Sequence, residues 1–368
     1  TIYLMINKKV LFFMPSIEGG GVEKNLFIVS KFFTKKFRYI SLITTSVDSK
    51  SKFDKKIKII SPKSDFWIKF QRRPKYIICL FLLLTEIFKN KKIIVFSWQA
   101  NIYCLLLCKL FGVKVVVRSN SAPIGWSKNI VKNYIFKKVL RLADKTMVNS
   151  EEFNRELRKR YNIKPVTIYN PLNKSEIIKL ANKRIKEPFF KKDCLNLINV
   201  ARFTNQKDHL TLLKAINLIK NKVRLKLMII GRGSNLHTMK NYIANNDLNN
   251  IIKIKEFTEN PFPYMRLANV FILSSTFEGL PNVLLESLVL KKFIISSNCQ
   301  TGPREILLNG KGGLLFNVGN HNQLSKKILF LSRNKKQCNK MLSVAIKNLD
   351  RFDKSLNLNK YFKLINNI

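Results

Sequence analysis

Glu278 and Glu286 stand eight residues apart in the stretch SSTFEGLPNVLLESLVLKKFIISSNCQTGP, residues 274–303. The chain has 22 acidic residues against 68 lysines and arginines, so two acids beside one apolar run stand out. The stretch reads as strand, glycine turn, helix, strand. Pro281 suits the first turn of that helix, and Glu286 is expected about two turns in. The turn Gly279-Leu280-Pro281-Asn282-Val283 would aim free N–H groups, with the helix dipole behind them, at an anion. A diphosphate fits. A carboxylate that accepts two O–H bonds reads a vicinal diol, such as that of a ribose or a sugar. Arg202 and Lys207 lie on an earlier strand-to-helix loop, where a guanidinium fork and an ammonium can reach the same anion. Two cations beside a helix N-terminus neutralise a diphosphate leaving group without a metal. The blander reading makes both acids solvated helix residues. Val283, Leu284, Leu285, Leu288, Val289 and Leu290 argue against it.

Strands alternating with helices must position these groups. Lys9–Pro15 reads as a buried strand, followed by the glycine turn Gly19-Gly20-Gly21 and an apolar-periodic helix. Such a turn can admit an anion to the backbone, or can be a tight connection with no ligand. Further strands are expected at Tyr39–Thr45, Ile57–Ser61, Lys92–Ser97, Val113–Val117, Lys145–Asn149 and Val166–Tyr169. Ligands collect at the C-terminal ends of strands in open parallel sheets, which makes Ser97, Trp98, Arg118 and Asn120 pocket candidates. The pattern breaks after Pro171 and resumes at Leu195, with Gly231-Arg232-Gly233 closing one of the later strands. Leu236 occupies the place of a third glycine, which excludes a dehydrogenase fingerprint. The alternation predicts an α/β chain with a parallel sheet in each half. We expect one domain over 1–172 and a second over 173–349, with the final helix, about 350–368, packing back onto the first.

The formal net charge is +46, an attraction for anionic membranes, nucleic acid or phosphorylated metabolites. A Lys-, Asn- and Ile-rich coding bias accounts for part of it. Two segments interleave aromatic or aliphatic residues with cations, as a membrane interface would favour. One is DFWIKFQRRPKYIICLFLLL, residues 65–84; the other runs from Trp126 to Leu142. The alternative for the first is an ordinary connection whose aromatics pack inward. The apolar run near Tyr76–Leu84 is too short to span a bilayer, which needs ~20 residues. The six cysteines form no C-x-x-C and the three histidines no ligand pair, so neither a disulfide framework nor a metal site is expected, as suits a reducing cytoplasm. The opening TIYLMINKKVLFFMPS carries two lysines within its apolar run and resembles no secretory leader.

The segments FEGLPNVLLES (277–287), VARFTNQKDHL (200–210), IIGRGS (229–234), TGPREIL (301–307), GKGGLLF (310–316) and GGGVE (19–23) together resemble the retaining GT-B glycosyltransferases of family 4. The resemblance covers nearly the whole chain, and points toward members that build lipopolysaccharide, capsule and polyprenyl-linked glycans. It implies two Rossmann-like doubly wound domains facing a central cleft, a nucleotide-sugar donor, and no cofactor or metal. It implies that Arg202 and Lys207 contact the donor diphosphate, Glu286 the ribose and Glu278 the transferred sugar, making Glu278, Arg202 and Lys207 the catalytic set. Donor contacts would come from Gly279 to Val283, Gly231, Arg232 and Gly233, and the loop Gly19–Gly21 would close over the phosphates. Many members carry a histidine after the strand ending at Val117; here Arg118-Ser119-Asn120 fills that place, and Asn120 or Arg118 is expected to meet the sugar's 6-hydroxyl. The expected partners are a nucleotide sugar, taken as UDP-linked, a lipid-linked glycan acceptor and an anionic membrane surface on the cytoplasmic side. Two other readings carry a test. A non-catalytic binding protein of the same fold would not hydrolyse donor. A polyanion binder would hold duplex DNA salt-sensitively, although no RNA-binding signature is present.

Overall fold

The computed structural model describes residues 5–64, 66–67, 70, 72–120 and 130–368, with the backbone only at 72, 130 and 132. Lys69 and the portion of the second basic segment from Trp126 to 129 lie outside the described residues, as do the side chains of Arg72 and Lys132.

In chain order the elements are β1 (Ile6–Phe13), α1 (Gly21–Phe33), β2 (Phe37–Ile43), β3 (Lys58–Ile60), α2 (Arg72–Lys89), β4 (Ile93–Ser97), α3 (Asn101–Leu110), β5 (Lys114–Ser119), α4 (Ile130–Leu140), β6 (Lys145–Val148), α5 (Glu151–Tyr161) and β7 (Val166–Thr167). They continue as α6 (Lys174–Ala181), β8 (Leu195–Val200), α7 (His209–Ile219), β9 (Leu225–Gly231), α8 (Leu236–Asn245), β10 (Ile252–Glu256), α9 (Phe262–Leu267), β11 (Val270–Leu273), α10 (Asn282–Val289) and β12 (Phe293–Ser297). The last are α11 (Pro303–Ile306), β13 (Leu314–Phe316), α12 (His321–Arg333), α13 (Lys335–Lys347) and α14 (Lys354–Asn366). The chain forms two compact units, residues 1–171 with 354–368, and residues 172–353.

The first unit holds a parallel sheet in the order β3-β2-β1-β4-β5-β6-β7. Its strands are near-continuous apolar runs because helices cover both faces. Side chains alternate between those faces along each strand. Val10 and Phe12 of β1 join Leu26, Val29 and Phe33 of α1 and Leu358 and Tyr361 of α14. Leu11 and Phe13 join Cys79, Leu83 and Ile87 of α2 and Cys104 and Cys108 of α3 on the other side. α5 shows how a helix is delimited here. Ser150 Oγ accepts from Phe153 N at 3.2 Å, Glu151 and Glu152 occupy the first turn, and Arg158, Lys159 and Arg160 occupy the last.

The second unit repeats the plan with the order β10-β9-β8-β11-β12-β13, all parallel. Chain order reverses between β1 and β4 in one sheet and between β8 and β11 in the other. These are the switch points where the loops at the strand C-termini diverge and leave a crevice.

Arg118 is the main correction to the sequence reading. Its side chain is fully buried. The guanidinium lies 4.3 Å over the Trp98 ring, donates from Nε to Tyr361 Oη at 3.2 Å and from Nη2 to Asn170 Oδ1 at 2.7 Å, and also bonds the Asn120 carboxamide. Trp98 stacks on Tyr361 at 11° between planes. Ser97 is buried as well, donating to Asn101 Oδ1 at 2.8 Å. Arg118, Trp98 and Ser97 therefore bind α14 and α3 to the strand ends and present nothing to solvent. Asn120, half-buried, donates to Trp98 O at 2.9 Å. Replacing the fully buried Tyr361 by alanine empties the stack and strips Arg118 of an acceptor; Tyr361→Ala should destabilise the first unit by about 3–5 kcal/mol. Urea unfolding followed by tryptophan fluorescence reads this, and an unchanged midpoint would count against the clamp.

Candidate functional site

The second sheet brings Arg202, Lys207 and Glu278 to its switch point. The loop after β8, residues 201–208, and the loop after β11, residues 274–281, are stitched together. Thr276 N donates to Gln206 O at 2.8 Å, Gln206 Nε2 to Phe277 O at 2.9 Å, and Ser274 Oγ to Lys207 O at 2.9 Å. At the seam Lys207 Nζ lies 2.5 Å from Glu278 Oε1, and Ser275 Oγ donates to the same oxygen at 2.6 Å. Glu278 is buried, at 7% exposure. The sequence names both residues but not their pairing.

The surrounding chain holds that carboxylate in place. Thr301 Oγ1 donates to Glu278 O at 2.6 Å, and Ser297 Oγ to Ser275 O at 2.6 Å. Buried Cys299 has its thiol pushed up to about 12, by burial first and then by the Glu278 charge, so it stays neutral. Ser275, Ser297 and Thr301 are contributors that sequence reasoning missed. The signal for the two serines was the pairs Ser274-Ser275 and Ser296-Ser297 at the ends of two apolar strands.

The glycine turn after β9 serves loop packing. A Cβ on Gly231 would stand 1.9 Å from Ala201 O, and one on Gly233 2.4 Å from Phe203 O. The turn instead receives the neighbouring loop: Phe203 N donates to Arg232 O at 2.8 Å, and Asn235 N to Phe203 O at 3.0 Å. Arg232 stacks over Phe257, 4.4 Å from the ring centre. Arg202 is exposed on the adjacent loop.

α10 starts at Asn282, with Pro281 as its extended cap. Glu286 is its fifth residue, at the beginning of the second turn rather than two turns in, and is 8% exposed. Gly279 and Pro281 pack against Gly302, whose added Cβ would meet Gly279 O at 1.9 Å. In the first unit, the turn Gly19–Gly21 opens α1. There the Glu23 carboxylate folds back, its Oε1 accepting from Glu18 N at 3.4 Å and its Oε2 lying 2.7 Å from where a Gly20 Cβ would be. That turn already has an acid of its own beside its backbone donors.

Residues 181–348 match the model of "Glycosyl transferases group 1", and residues 19–176 match that of "Glycosyltransferase Family 4". Both models describe glycosyltransferases, one matching each part of the chain. An uncharacterised glycosyltransferase of Methanocaldococcus jannaschii is 28% identical over 241 residues, 60% of this chain and 58% of its own length. The N-acetylgalactosamine-N,N'-diacetylbacillosaminyl-diphospho-undecaprenol 4-alpha-N-acetylgalactosaminyltransferase of Campylobacter jejuni is 26% identical over 229 residues, 60% of this chain and 62% of its own. The chain thus spans about six-tenths of these relatives. Anabaena Alr3699/HepE, solved with UDP-glucose, superposes with a TM-score of 0.77 over 98% of this chain and 100% of its own, at 15% identity. The likeness identifies the GT-B fold, two Rossmann-like units.

His209, the first residue of α7, was not singled out from sequence. Its Nε2 lies 3.1 Å from Asn199 Oδ1, and Asn199 Nδ2 donates to Ile272 O at 2.8 Å, which couples the α7 start to β8 and β11. Burial, assisted by the Lys207 charge, lowers its pKa to about 4. A histidine that is neutral when folded and titrates near 6.5 when unfolded stabilises fully above pH 6.5. That contribution drains away as pH falls toward 4. His209→Gln should therefore flatten the loss of stability between pH 6.5 and pH 4, measured as the urea midpoint against pH; a slope identical to wild type would refute the assignment.

The Lys207–Glu278 pair carries a separate expectation. Lys207→Met leaves a buried carboxylate uncompensated and should lower the stability of the second unit by about 3–5 kcal/mol. Adding Glu278→Gln should recover most of the loss. A double variant as unstable as the sum of the singles would show that the two charges do not interact.

Proposed function

We propose that this chain transfers a sugar from a UDP-linked donor to a glycan carried on a lipid or lipopolysaccharide, retaining the anomeric configuration and using no metal ion. The observation that carries the reading is the Lys207–Glu278 pair, 2.5 Å apart, placed beside the start of α10 at the switch point of the second sheet. Support for the donor comes from HepE, solved with UDP-glucose, and for the acceptor from the undecaprenol carrier in the name of the Campylobacter jejuni relative.

In this reading the donor diphosphate lies against the N–H groups that begin α10, with Arg202 as its exposed cation. The incoming phosphate competes for Lys207. As the ammonium turns to the anion, the Glu278 carboxylate is released to accept hydroxyls of the transferred sugar. Glu286 accepts those of the ribose. The departing phosphate oxygen takes the acceptor's proton while the new glycosidic bond forms on the face the diphosphate leaves, so no protein base is needed. The six cysteines are free thiols, which suits a reducing cytoplasm, and the +46 charge suits a peripheral position on the inner face of the cytoplasmic membrane.

The decisive assay incubates a panel of nucleotide sugars with enzyme and a polyprenyl-diphosphate oligosaccharide, with chelator present, and reads products by mass and anomeric configuration by NMR. UDP-sugars should be consumed with retention. Glu286→Ala and Arg202→Ala should each cut transfer by roughly 10²–10³-fold while melting like wild type. Full turnover by either variant, or an inverted product, would reject the proposal.

A further inference from the structure

We infer that the outward faces of α2, α3 and α4 form one docking surface for an anionic lipid bilayer. The inference deepens the membrane-surface reading above and rests on it.

The three helices cover the same face of the first sheet, with α3 packing between α2 and α4. Each buries one apolar stripe and exposes another. On α2 the buried stripe is Cys79, Leu83 and Ile87. Ile77, Phe81 and Phe88 lie on the outside at 70%, 60% and 65% exposure. At 100° per residue these three fall within about 40° of one another. α3 buries Cys104, Leu105 and Cys108 and exposes Tyr103, Leu106 and Leu110, within about 60° on the helix. α4 adds Val131, Tyr134 and Ile135. A surface helix of a globular protein normally shows water its polar side. Among the described residues, 12 of the 22 exposed large hydrophobic side chains lie between residues 66 and 142. A contiguous patch of this kind marks an interaction surface.

Charge selects the occupant. Residues 66–142 contain 15 lysines and arginines and one acid, Glu86. Arg118 among them is interior. Glu86 is neutralised by Lys89 at 2.6 Å, and Asp144, just beyond the segment, is held by Lys109 at 2.6 Å. A second copy placed face to face would bring like charges together, whereas phosphate headgroups complement them. Lys138 Nζ lies 5.5 Å from the centre of the Tyr134 ring, a cation and an aromatic at one level, as at headgroup depth. Helices lying flat would sink such side chains about 5–10 Å, to the headgroup–acyl boundary. No helix among the described residues is long and apolar enough to cross the bilayer, so the contact is superficial. The sequence marked α2 and α4 as candidates. Tyr103, Leu106 and Leu110, which join them into one surface, emerge only once α3 is in place.

The test is co-sedimentation of the full chain with vesicles of phosphatidylglycerol and phosphatidylcholine in equal parts, and with phosphatidylcholine alone. UDP affinity and thermal melting are measured alongside. The wild type should partition onto the anionic vesicles at least about tenfold better, and salt should weaken the binding. Phe81→Ser/Leu106→Ser/Tyr134→Ser should lose about tenfold or more in partitioning while keeping UDP affinity. Should that variant melt early, Lys137→Glu/Lys138→Glu, which reverses two positive charges and leaves the apolar stripe intact, should show the same loss on anionic vesicles. Wild-type partitioning by both variants would overturn the inference. So would a wild-type dimer in sedimentation velocity that the triple variant abolishes, since the face would then be a protein interface. Vesicle binding without any UDP binding would sink the donor reading and leave this surface standing.

Discussion

Glu278 is a carboxylate buried where three loops meet, and such a charge persists only if it is matched. Lys207 supplies the charge and Ser275 a neutral donor. The chain on every side is then committed. Thr301 anchors the Glu278 carbonyl, Ser297 anchors Ser275, and Ser274 anchors the backbone of Lys207. Each hydroxyl sits at the end of, or just after, a parallel strand, so the network depends on the sheet bringing β8, β11 and β12 to one edge in register.

That convergence explains the glycines better than ligand contact does. The loop that carries Lys207 runs closer to the end of β9 than a Cβ allows, and Gly231 meets the carbonyl of Ala201 at the point of approach. Gly302 adds a backbone reason, since φ is +73 there and Gly279 stands against it. The sequence motif and the site are therefore linked through packing. The glycines permit the loop contact, and the loop contact aims Lys207 and Glu278.

The parallel sheets were legible because strands covered on both faces are written as unbroken apolar runs, and LMII and VFIL cannot be half-exposed. Arg202, Lys207 and Glu278 were legible as candidates by type and by their place on strand-to-helix loops, and Glu286 by its place inside an otherwise apolar helix. The Lys207–Glu278 bond was not, because 71 residues separate the partners and spacing along a chain carries no distance. His209 was hidden for a related reason: its role depends on Asn199, a polar residue inside a strand whose partner only the fold supplies. Arg118 and Trp98 were misread in the opposite direction. Their strand-end positions suggested a pocket, but α14 arrives from more than 240 residues later and buries them.

The two sides of the first sheet differ in a way that bears on the source of the positive charge. A coding bias toward lysine would decorate every helix alike. On α1 the exposed side chains are Lys24 and Lys31, and on α14 they are Ser355, Leu356, Asn359, Lys360 and Lys363, an ordinary solvated pattern. Across the sheet, α2 and α3 show water Phe81, Phe88, Leu106 and Leu110 instead. Compositional drift can add cations without regard to place. It does not by itself arrange large apolar side chains into an outward stripe on neighbouring helices, where a covering partner would gain roughly 1.5–3 kcal/mol for each one it fully buries. The asymmetry therefore points to a covering partner on one side of this unit, and the surplus of cations around it sets the sign of that partner's charge.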